Sequence, residues 1–350
     1  MSFLEQKQLR DCKVVVMPDF FLDRLINLRW DASEFSDLID SVAERKGGSI
    51  DGIPQADLRG GNAVNVASAL VNLGAAVTPI VCTSEYGLEQ IKYHLKNSPV
   101  DTTHIKTCGK ASMTTALEFQ ASDGKTNVML RDLGALADFG PKNLDEKDYA
   151  AIEGADFTCL FNWAGTLNNG TALAEAVFTR AKRGGGRTYY DTADPNPNAK
   201  AIAQLIEKVL KTDMVDILSL NENEAVTYAS MLDEGLKKKR QQLGFADLAM
   251  EAARVLSRHF PARIDLHTTA FSATLMGKRE VIVPTFKVNV LRATGAGDAW
   301  NAGNILGDRN GLSDECRLML ANAVSACYLS DPDGMHPTKD KLLSFLNSSV

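Results

Sequence analysis

The stretch "RATGAGDAWNAG", residues 292–303, sets two glycines around an alanine just before a helix-forming run, with an acid at its start. Two readings fit it. In the plainer one, Gly295, Ala296 and Gly297 open a helix. Glycine admits backbone angles closed to other residues, and Asp298 offsets the positive end of the helix dipole by roughly 0.3–1 kcal/mol. In the other, backbone N–H groups made approachable by glycine hold a phosphate, and Asp298 accepts a proton beside it. These residues alone favour the plainer reading, so the rest of the chain has to move the balance.

The chain has 350 residues, 45% of them hydrophobic and 23% charged, the make-up of a globular protein with a large core. Its net charge of −6 gives no sign of a nucleic-acid partner, and an anionic substrate would have to be met by local positive groups. The six cysteines (Cys12, Cys82, Cys108, Cys159, Cys316, Cys327) show no C-x-x-C spacing, and several lie in apolar runs. That pattern fits a reduced, cytoplasmic thiol set better than disulfides. The N-terminal "MSFLEQKQLRDCK" lacks the apolar core of a signal peptide, and no apolar run approaches the ~20 residues that span a bilayer. The expectation is a cytoplasmic protein with neither membrane nor nucleic acid as partner.

Short β-branched runs alternate with amphipathic stripes. "KVVVM" (13–17), "AVTPIVC" (76–82), "DFTCLF" (156–161), "RTYYD" (187–191) and "VDILSL" (215–220) read as buried strands. Helical spacing appears in Ala63, Val66, Ala67, Leu70 and Val71, and again in Leu173, Ala176, Val177 and Ala181. It recurs in Ile202, Leu205, Ile206 and Val209, and in Ala249, Ala252, Ala253, Leu256 and Phe260. This alternation predicts an α/β fold, a mainly parallel sheet with helices on both faces. Residues 114–132, "TTALEFQASDGKTNVMLRD", instead alternate with period two around Ser-Asp-Gly-Lys, a hairpin signal, and 22–30 alternate similarly. They predict a small β element, a lid over the sheet edge drawn from approximately 22–60 and 103–132, within a single domain over 1–350. A second hairpin is expected near 271–285 with Gly277-Lys278 at its turn, and "DEGLKKKRQQ" (233–242) reads as a solvated loop or helix face.

Several chemistries are missing. There is no G-x-x-x-x-G-K-[ST] loop, "GAGDAW" lacks the third glycine of a dinucleotide fingerprint, and no G-x-S-x-G elbow occurs. The five histidines (His94, His104, His259, His267, His336) have no metal-ligand spacing. Two other stretches do carry signals. In "LRGGNAVNVASALVNLG" (58–74), Gly60-Gly61 precede a helix whose first turn holds Asn62 and Asn65. A cap at Asn62 leaves Asn65 without a task, whereas two carboxamides, each donor and acceptor, suit a polyhydroxyl ligand. In "SLNENEA" (219–225), Asn221 and Glu224 face the same way at a helix start. They form either a capping box or a pair that holds hydrated Mg²⁺ on phosphates through water.

In order and spacing, "GGNAVNVA" near 60, "NENE" near 221 and "TGAGDAWNAG" near 294 resemble the ribokinase (PfkB) family of carbohydrate kinases, over about residues 13–338. Three motifs in register tip 292–303 towards the anion hole. The resemblance implies a ribokinase-like three-layer α/β/α sandwich with a β lid, and phosphoryl transfer from a nucleotide to an alcohol. By that resemblance Asp298 is the catalytic base, and Gly295, Ala296 and Gly297 hold the charge of the transferring phosphoryl. Asp23 matches the family's sugar-hydroxyl-binding aspartate, and Gly61 and Asn65 its acceptor site, with Asn62 beside them. Asn221 and Glu224 match the pair that organises Mg²⁺ and phosphate, Glu224 reaching the metal through water. Asn322, within "ANAVSACYLSDPDG" (321–334), falls near the family's adenine site as a nucleotide contact. Pairing of two copies through the lid is a further implication.

The departures carry expectations too. The family's D-T-x-G-A-G-D begins here with Arg292-Ala293-Thr294. The missing acid commonly helps to hold a monovalent cation that arginine would repel, so a K⁺ requirement is doubtful. Arg292 either takes the cation's electrostatic place or points to solvent. "HTTAFSATL" (267–275) stands where the family has T-x-G-x-x-G, with Thr269 and Ser272 for the glycines against the nucleotide, so the donor is less secure than the fold. The first strand also ends in Pro18-Asp19 where many members have glycine. Arg131, in "LRDLGA", and Asn162, in "FNWAGTL", fall on the expected acceptor side. Arg131 pairs with a phosphate if the acceptor already carries one, or is an ordinary surface arginine. The resulting expectation is a Mg²⁺-dependent kinase acting with ATP on a hydroxyl of a sugar, nucleoside or polyol. The alternatives are an ADP-dependent kinase of a sugar phosphate such as ribose 1-phosphate, and a sugar- or nucleotide-binding protein without turnover.

Overall fold

The computed structural model describes residues 11–348 except 97, 122–123, 240–241 and 293. Most of the polar N-terminal stretch, Ser122 and Asp123 of the hairpin turn, Arg240 and Gln241 of the charged run, and Ala293 therefore lie outside the described residues.

Along β1 (Lys13–Met17), Val14 and Val16 face one way and Val15 and Met17 the other, and all four are buried. A strand apolar on both faces has to be covered on both. The sheet it belongs to runs β14 (Arg279–Pro284), β13 (Phe271–Met276), β12 (Arg263–His267), β11 (Ile217–Leu220), β10 (Arg187–Asp191), β9 (Phe157–Phe161), β1 and β4 (Ala76–Pro79). The strands from β4 to β12 pair in parallel, and β13 and β14 add an antiparallel edge. The helices are α1 (Ala32–Glu44), α2 (Asn62–Asn72), α3 (Glu85–His94), α4 (Glu146–Glu153), α5 (Gly170–Gly184), α6 (Ile202–Leu205), α7 (Glu222–Leu232), α8 (Glu234–Lys239), α9 (Phe245–His259), α10 (Ala296–Arg309), α11 (Asp314–Leu329) and α12 (Lys339–Ser348). Val15, Met17, Leu160, Tyr190, Leu218 and Leu220 pack with α5, α7 and α9. Val14, Val16, Cys159, Phe161, Tyr189 and Ile217 pack on the other side with α2 and α10. The result is the expected three-layer α/β/α sandwich around a mostly parallel sheet.

The period-two segments form a second sheet, in the order β3 (Gln55–Gly60), β2 (Phe21–Asn27), β7 (Ser112–Ala121), β8 (Gly124–Asp132). Its register sets Leu58, Asp23, Thr114 and Arg131 in one row. Side chains across such a row share a face, so Asp23 and Arg131 share one despite 107 intervening residues. Residues 82–83 and 106–107 pair apart from this sheet, as β5 (Cys82–Thr83) and β6 (Lys106–Thr107). Helix α1 was not read from the sequence. None of its residues is fully buried, but Phe35, Leu38, Ile39 and Val42 repeat at helical spacing with Phe35, Leu38 and Val42 half-buried, and Asp31 and Glu34 make a capping box, so the signal was present in the sequence.

A buried polar network pins α10 to the sheet. Asn301 donates to Asp191 (2.7 Å) and Asn304 to Asp265 (2.8 Å), while the Tyr189 hydroxyl donates to Asn301 (2.7 Å). Arg317 of α11, only 1% exposed, donates to Asp265 (3.0 Å), Thr274 (3.0 Å) and Asp314 (3.1 Å), and also bonds Asn304. Arg317→Leu leaves these acceptors short of a charged donor. It should lower the unfolding free energy by about 3–5 kcal/mol, measured in urea with the denaturant slope unchanged.

Candidate active site

Helices α2 and α10 both start at a glycine with positive φ, Gly61 at 89° and Gly295 at 88°. A Cβ on Gly61 would lie 2.7 Å from the Phe20 Cα, and one on Gly295 2.6 Å from the Tyr328 hydroxyl. Both positions therefore demand glycine, which brings no side chain to cap the helix. At α2 the missing acceptor arrives from the end of β1. Asp19, fully buried, accepts from the backbone N–H of Asn62 and of Ala63 and from the Asn162 amide, each at 2.9 Å. Burial raises its carboxyl above the usual range, against the pull of these donors and of Arg131.

Asp298 lies in the first turn of α10, buried, with both oxygens engaged. Oδ1 accepts from the Asn62 amide at 2.8 Å and Oδ2 from the Asn65 amide at 2.9 Å. Burial pushes its pKa up to about 8; the two carboxamides oppose the rise, and Asp191 and Asp19 add to it. The first intrahelical bond runs from Ala299 N to Gly295 O, so the N–H groups of Ala296, Gly297 and Asp298 precede the ladder and point out of the helix start. On the small sheet, the Asp23 carboxyl fills the space over Gly60, where any side chain would overlap it. Its Oδ1 is buried with no partner among the described residues. Burial lifts its pKa to about 6, against Thr114 and Arg131. An orphaned buried oxygen of this kind marks a place for a ligand donor. The Arg131 guanidinium lies 5.0 Å from the centre of the Phe21 ring, with no hydrogen bond to described residues.

Residues 56–341 match the family described as pfkB family carbohydrate kinase. The chain belongs to the pfkB family of carbohydrate kinases. It is a phosphotransferase of the sugar and nucleoside kinase class. No match was found among curated protein sequences. Similar solved structures include an adenosine kinase from Sinorhizobium meliloti, with 17% identity, a TM-score of 0.70, and 98% of this chain and 100% of that one covered. A ribokinase from Arabidopsis thaliana complexed with ribose and ATP has 17% identity and a TM-score of 0.72, over 96% of this chain and 98% of that one. A nucleoside kinase from Methanocaldococcus jannaschii has 16% identity and a TM-score of 0.65, over 96% and 98%. These likenesses show the ribokinase fold.

On the other side of the kinase cleft, Asn221 and Glu224 form a capping box. Asn221 Oδ1 accepts from Glu224 N at 3.0 Å, and Glu224 Oε2 accepts from Asn221 N at 2.8 Å. Glu224 is nevertheless buried beside Asp191, Asp194 and Glu222, and burial and these acids hold its pKa well above the usual range. The capping and the acidic readings of this pair thus coexist. Among the described residues no group of three or more His, Cys, Asp or Glu is arranged to hold a metal directly. Thr269 is exposed and its N–H donates to Glu222 at 2.8 Å.

Two residues expected at a ligand have their side chains engaged within the protein. Asn162 donates its amide to Asp19 and accepts from the Gly165 N–H (3.1 Å), so it supports Asp19. Asn322 accepts from Ser272 (2.6 Å) and Trp300 (2.9 Å) and donates to the Pro284 carbonyl (3.0 Å), and is buried beneath the 267–275 segment. Ser272, turned towards Asn322, does not narrow the cleft. Arg292 does not point to solvent: it donates to the Pro332 carbonyl at 3.1 Å and lies over Gly334, where a Cβ would overlap it.

The sequence reading assigned no role to Asp19, Arg59 or His267. Asp19 was detectable in principle: a glycine-capped helix needs an acceptor from elsewhere, and "VVVMPDFF" offers one acid inside an apolar run. His267 closes β12 with its ring 5.0 Å from that of Trp300, its Nε2 buried and unpartnered. Its Cε1 edge lies 3.2 Å from where a Gly297 Cβ would be. Burial drops its pKa to about 4. No local pattern announces it.

These shifts predict a pH dependence of stability. Asp298 in the folded chain binds a proton more tightly than the usual carboxylate at 3.8, so its contribution is complete below about pH 4 and is lost as pH rises through about 8. Asp23 acts in the same direction up to about 6. The unfolding free energy should fall more steeply between pH 5 and pH 8.5 in the unmodified chain than in Asp298→Asn, the difference being on the order of a few kcal/mol. Urea unfolding at stepped pH measures both.

Proposed function

We propose that this kinase transfers the terminal phosphoryl group of a nucleotide, ATP in the first instance, to a hydroxyl of a sugar, nucleoside or polyol. The observation that carries the reading is Asp298: a buried carboxylate tuned to about 8, gripped by two carboxamides at the start of a glycine-opened helix. A general base works best with a pKa near the operating pH, so Asp298 accepts the acceptor's hydroxyl proton. Asp23, with its free oxygen, binds a second hydroxyl and orients the first. Asn62, Asn65 and Gly61 shape the acceptor side between them. The N–H groups after Gly295, with Ala296 and Gly297, and the positive end of α10 bear the charge of the transferring phosphoryl. Positioning and charge stabilisation of this kind make up most of what phosphoryl transfer needs.

The donor enters between α7 and the end of β12, past Thr269 and the His267 ring. Glu224 and Asn221 would hold Mg²⁺ through water; the crowding of Glu224 with Asp191, Asp194 and Glu222 suits a hydrated cation and repels a bare phosphate. Bound there, Mg²⁺ neutralises charge on the donor phosphates. The ribose and ATP bound to the Arabidopsis ribokinase support the same substrate classes here. The four-stranded sheet, with Asp23 and Arg131 on one face, acts as the lid. Its exposed Met113, Val128, Met129 and Leu130 suit pairing of two copies. Arg292 takes the place of a monovalent cation between residue 292 and the 332–334 turn.

One observation favours a second reading. Arg131 shares the row of Asp23 and has no hydrogen-bonded partner among the described residues, so it would receive a phosphate already on the acceptor, as in an ADP-dependent kinase of a sugar phosphate. A transfer screen crossing ATP and ADP with pentoses, hexoses, nucleosides, polyols and sugar phosphates decides between the two. Turnover in that screen should fall by ~10²–10⁴-fold in Asp298→Asn while nucleotide binding by calorimetry persists. Binding without turnover in the unmodified chain would mean a binding protein instead. Transfer rates should be equal in K⁺ and in Na⁺; activation of tenfold or more by K⁺ would remove the role given to Arg292.

A further inference from the structure

Arg59, on β3 of the small sheet, is the residue just before the Gly60-Gly61 pair, yet its side chain runs along the first turn of α2. Its Nε donates to Asn65 Oδ1 at 3.1 Å, and its Nη2 lies 3.2 Å from His336 Nδ1. Asn65 in turn donates its amide to Asp298 Oδ2 at 2.9 Å. We propose that Arg59 is a positioning residue that favours the ionised, proton-accepting form of Asp298, acting through the carboxamide of Asn65. The proposal rests on the reading of Asp298 as the base.

A guanidinium has donors and no acceptor, so the oxygen of Asn65 must face Arg59 and its NH₂ must face Asp298. An ionised Asp298 accepts that bond. A protonated Asp298 would need an acceptor for its O–H, and Asn65 can supply one only by turning its oxygen away from Arg59. Asn62 has no such lock: its Oδ1 has no partner among the described residues, so its amide is free to turn over. The other end of Arg59 is equally constrained. His336 is buried, its ring stacked on Tyr328 at 4.6 Å, and burial together with Arg59 holds its pKa well below the usual value. It stays neutral and accepts from Arg59 instead of repelling it.

The groups that face Asp298 are Asn62 and Asn65 from α2, Asp19 from the end of β1, Asp191 from the end of β10, Tyr328 from α11 and Arg59 from β3. The two carboxylates favour the protonated form, and Tyr328 is an uncharged phenol. Arg59 is the cation of this set. Because it is carried by the small sheet, the readiness of the base is tied to that sheet being seated on α2.

The test reads the titration of Asp298 directly, without any acceptor. Aspartate-labelled protein is followed by carboxyl-carbon NMR against pH, with Asp298→Asn identifying the resonance. Arg59→Met should move the Asp298 midpoint up by about one pH unit, the lower end of the ~1–3 units that a directly adjacent opposite charge is worth. Arg59→Lys keeps the charge and loses the fork that locks Asn65, so its midpoint should also rise, by less. An unchanged midpoint in Arg59→Met overturns the proposal, and an unchanged midpoint in Arg59→Lys alone overturns the route through Asn65. If Arg59→Met does not fold, Arg59→Lys still decides. Retention of phosphoryl transfer by Asp298→Asn would sink the base reading itself, a result this titration does not depend on.

Discussion

Helices α2 and α10 begin within hydrogen-bond reach of one another, so two sets of unpaired N–H groups and two positive dipole ends converge on one small volume. Each helix starts at a glycine that cannot be replaced without a clash. Neither can cap itself with a side chain. The compensating acceptors come from two buried carboxyl groups, Asp19 behind α2 and Asp298 inside the first turn of α10. The three N–H groups after Gly295 stay outside the helix's own ladder.

Such an arrangement works only if the helices cannot slide. On α10, Asn301 and Asn304 tie successive turns to Asp191 and Asp265 on the strands beneath. Arg317 closes the network from α11. On α2, Asp19 fixes the start of the helix to the end of β1, and Asn162, in a left-handed conformation with φ of 49°, holds Asp19 in turn. The rigidity serves electrostatics: a dipole or donor that need not reorient as charge develops is worth more than one that must. The cost appears as carboxylates held far above their ordinary pKa, which only a proton, a cation or a substrate can relieve.

Much of the fold was legible locally. Strands such as "KVVVM" and "DFTCLF" are apolar throughout, and a continuous apolar strand is what a sheet covered on both faces requires. The hairpin at 114–132 followed from its period of two. Helix α1 went unassigned although its pattern was legible too: Phe35, Leu38, Ile39 and Val42 repeat at helical spacing behind an Asp31–Glu34 capping box. In the site, the glycine pairs and the acids near them were visible because special backbone angles restrict the choice of residue. The hydrogen bonds of Asn162 and Asn322 within the protein were not visible for the opposite reason: an asparagine at the end of a strand or in a helix looks the same whether it faces a ligand or the protein. Only its neighbours in space decide.

The sequence by itself determined the alternation of strand and helix, the two glycine-opened helix starts, and the residue types placed at them. These depend on interactions a few residues long: periodicity, positive φ, and the first turn of a helix. The tertiary structure alone decided that the two helix starts meet, that Asp19 caps a helix 43 residues away, and that Arg59 reaches Asn65 and His336. It also set the charge states of Asp298, Asp23 and His267. A pKa depends on what surrounds a group within several ångströms, and for these three the surroundings come from parts of the chain that only folding brings together.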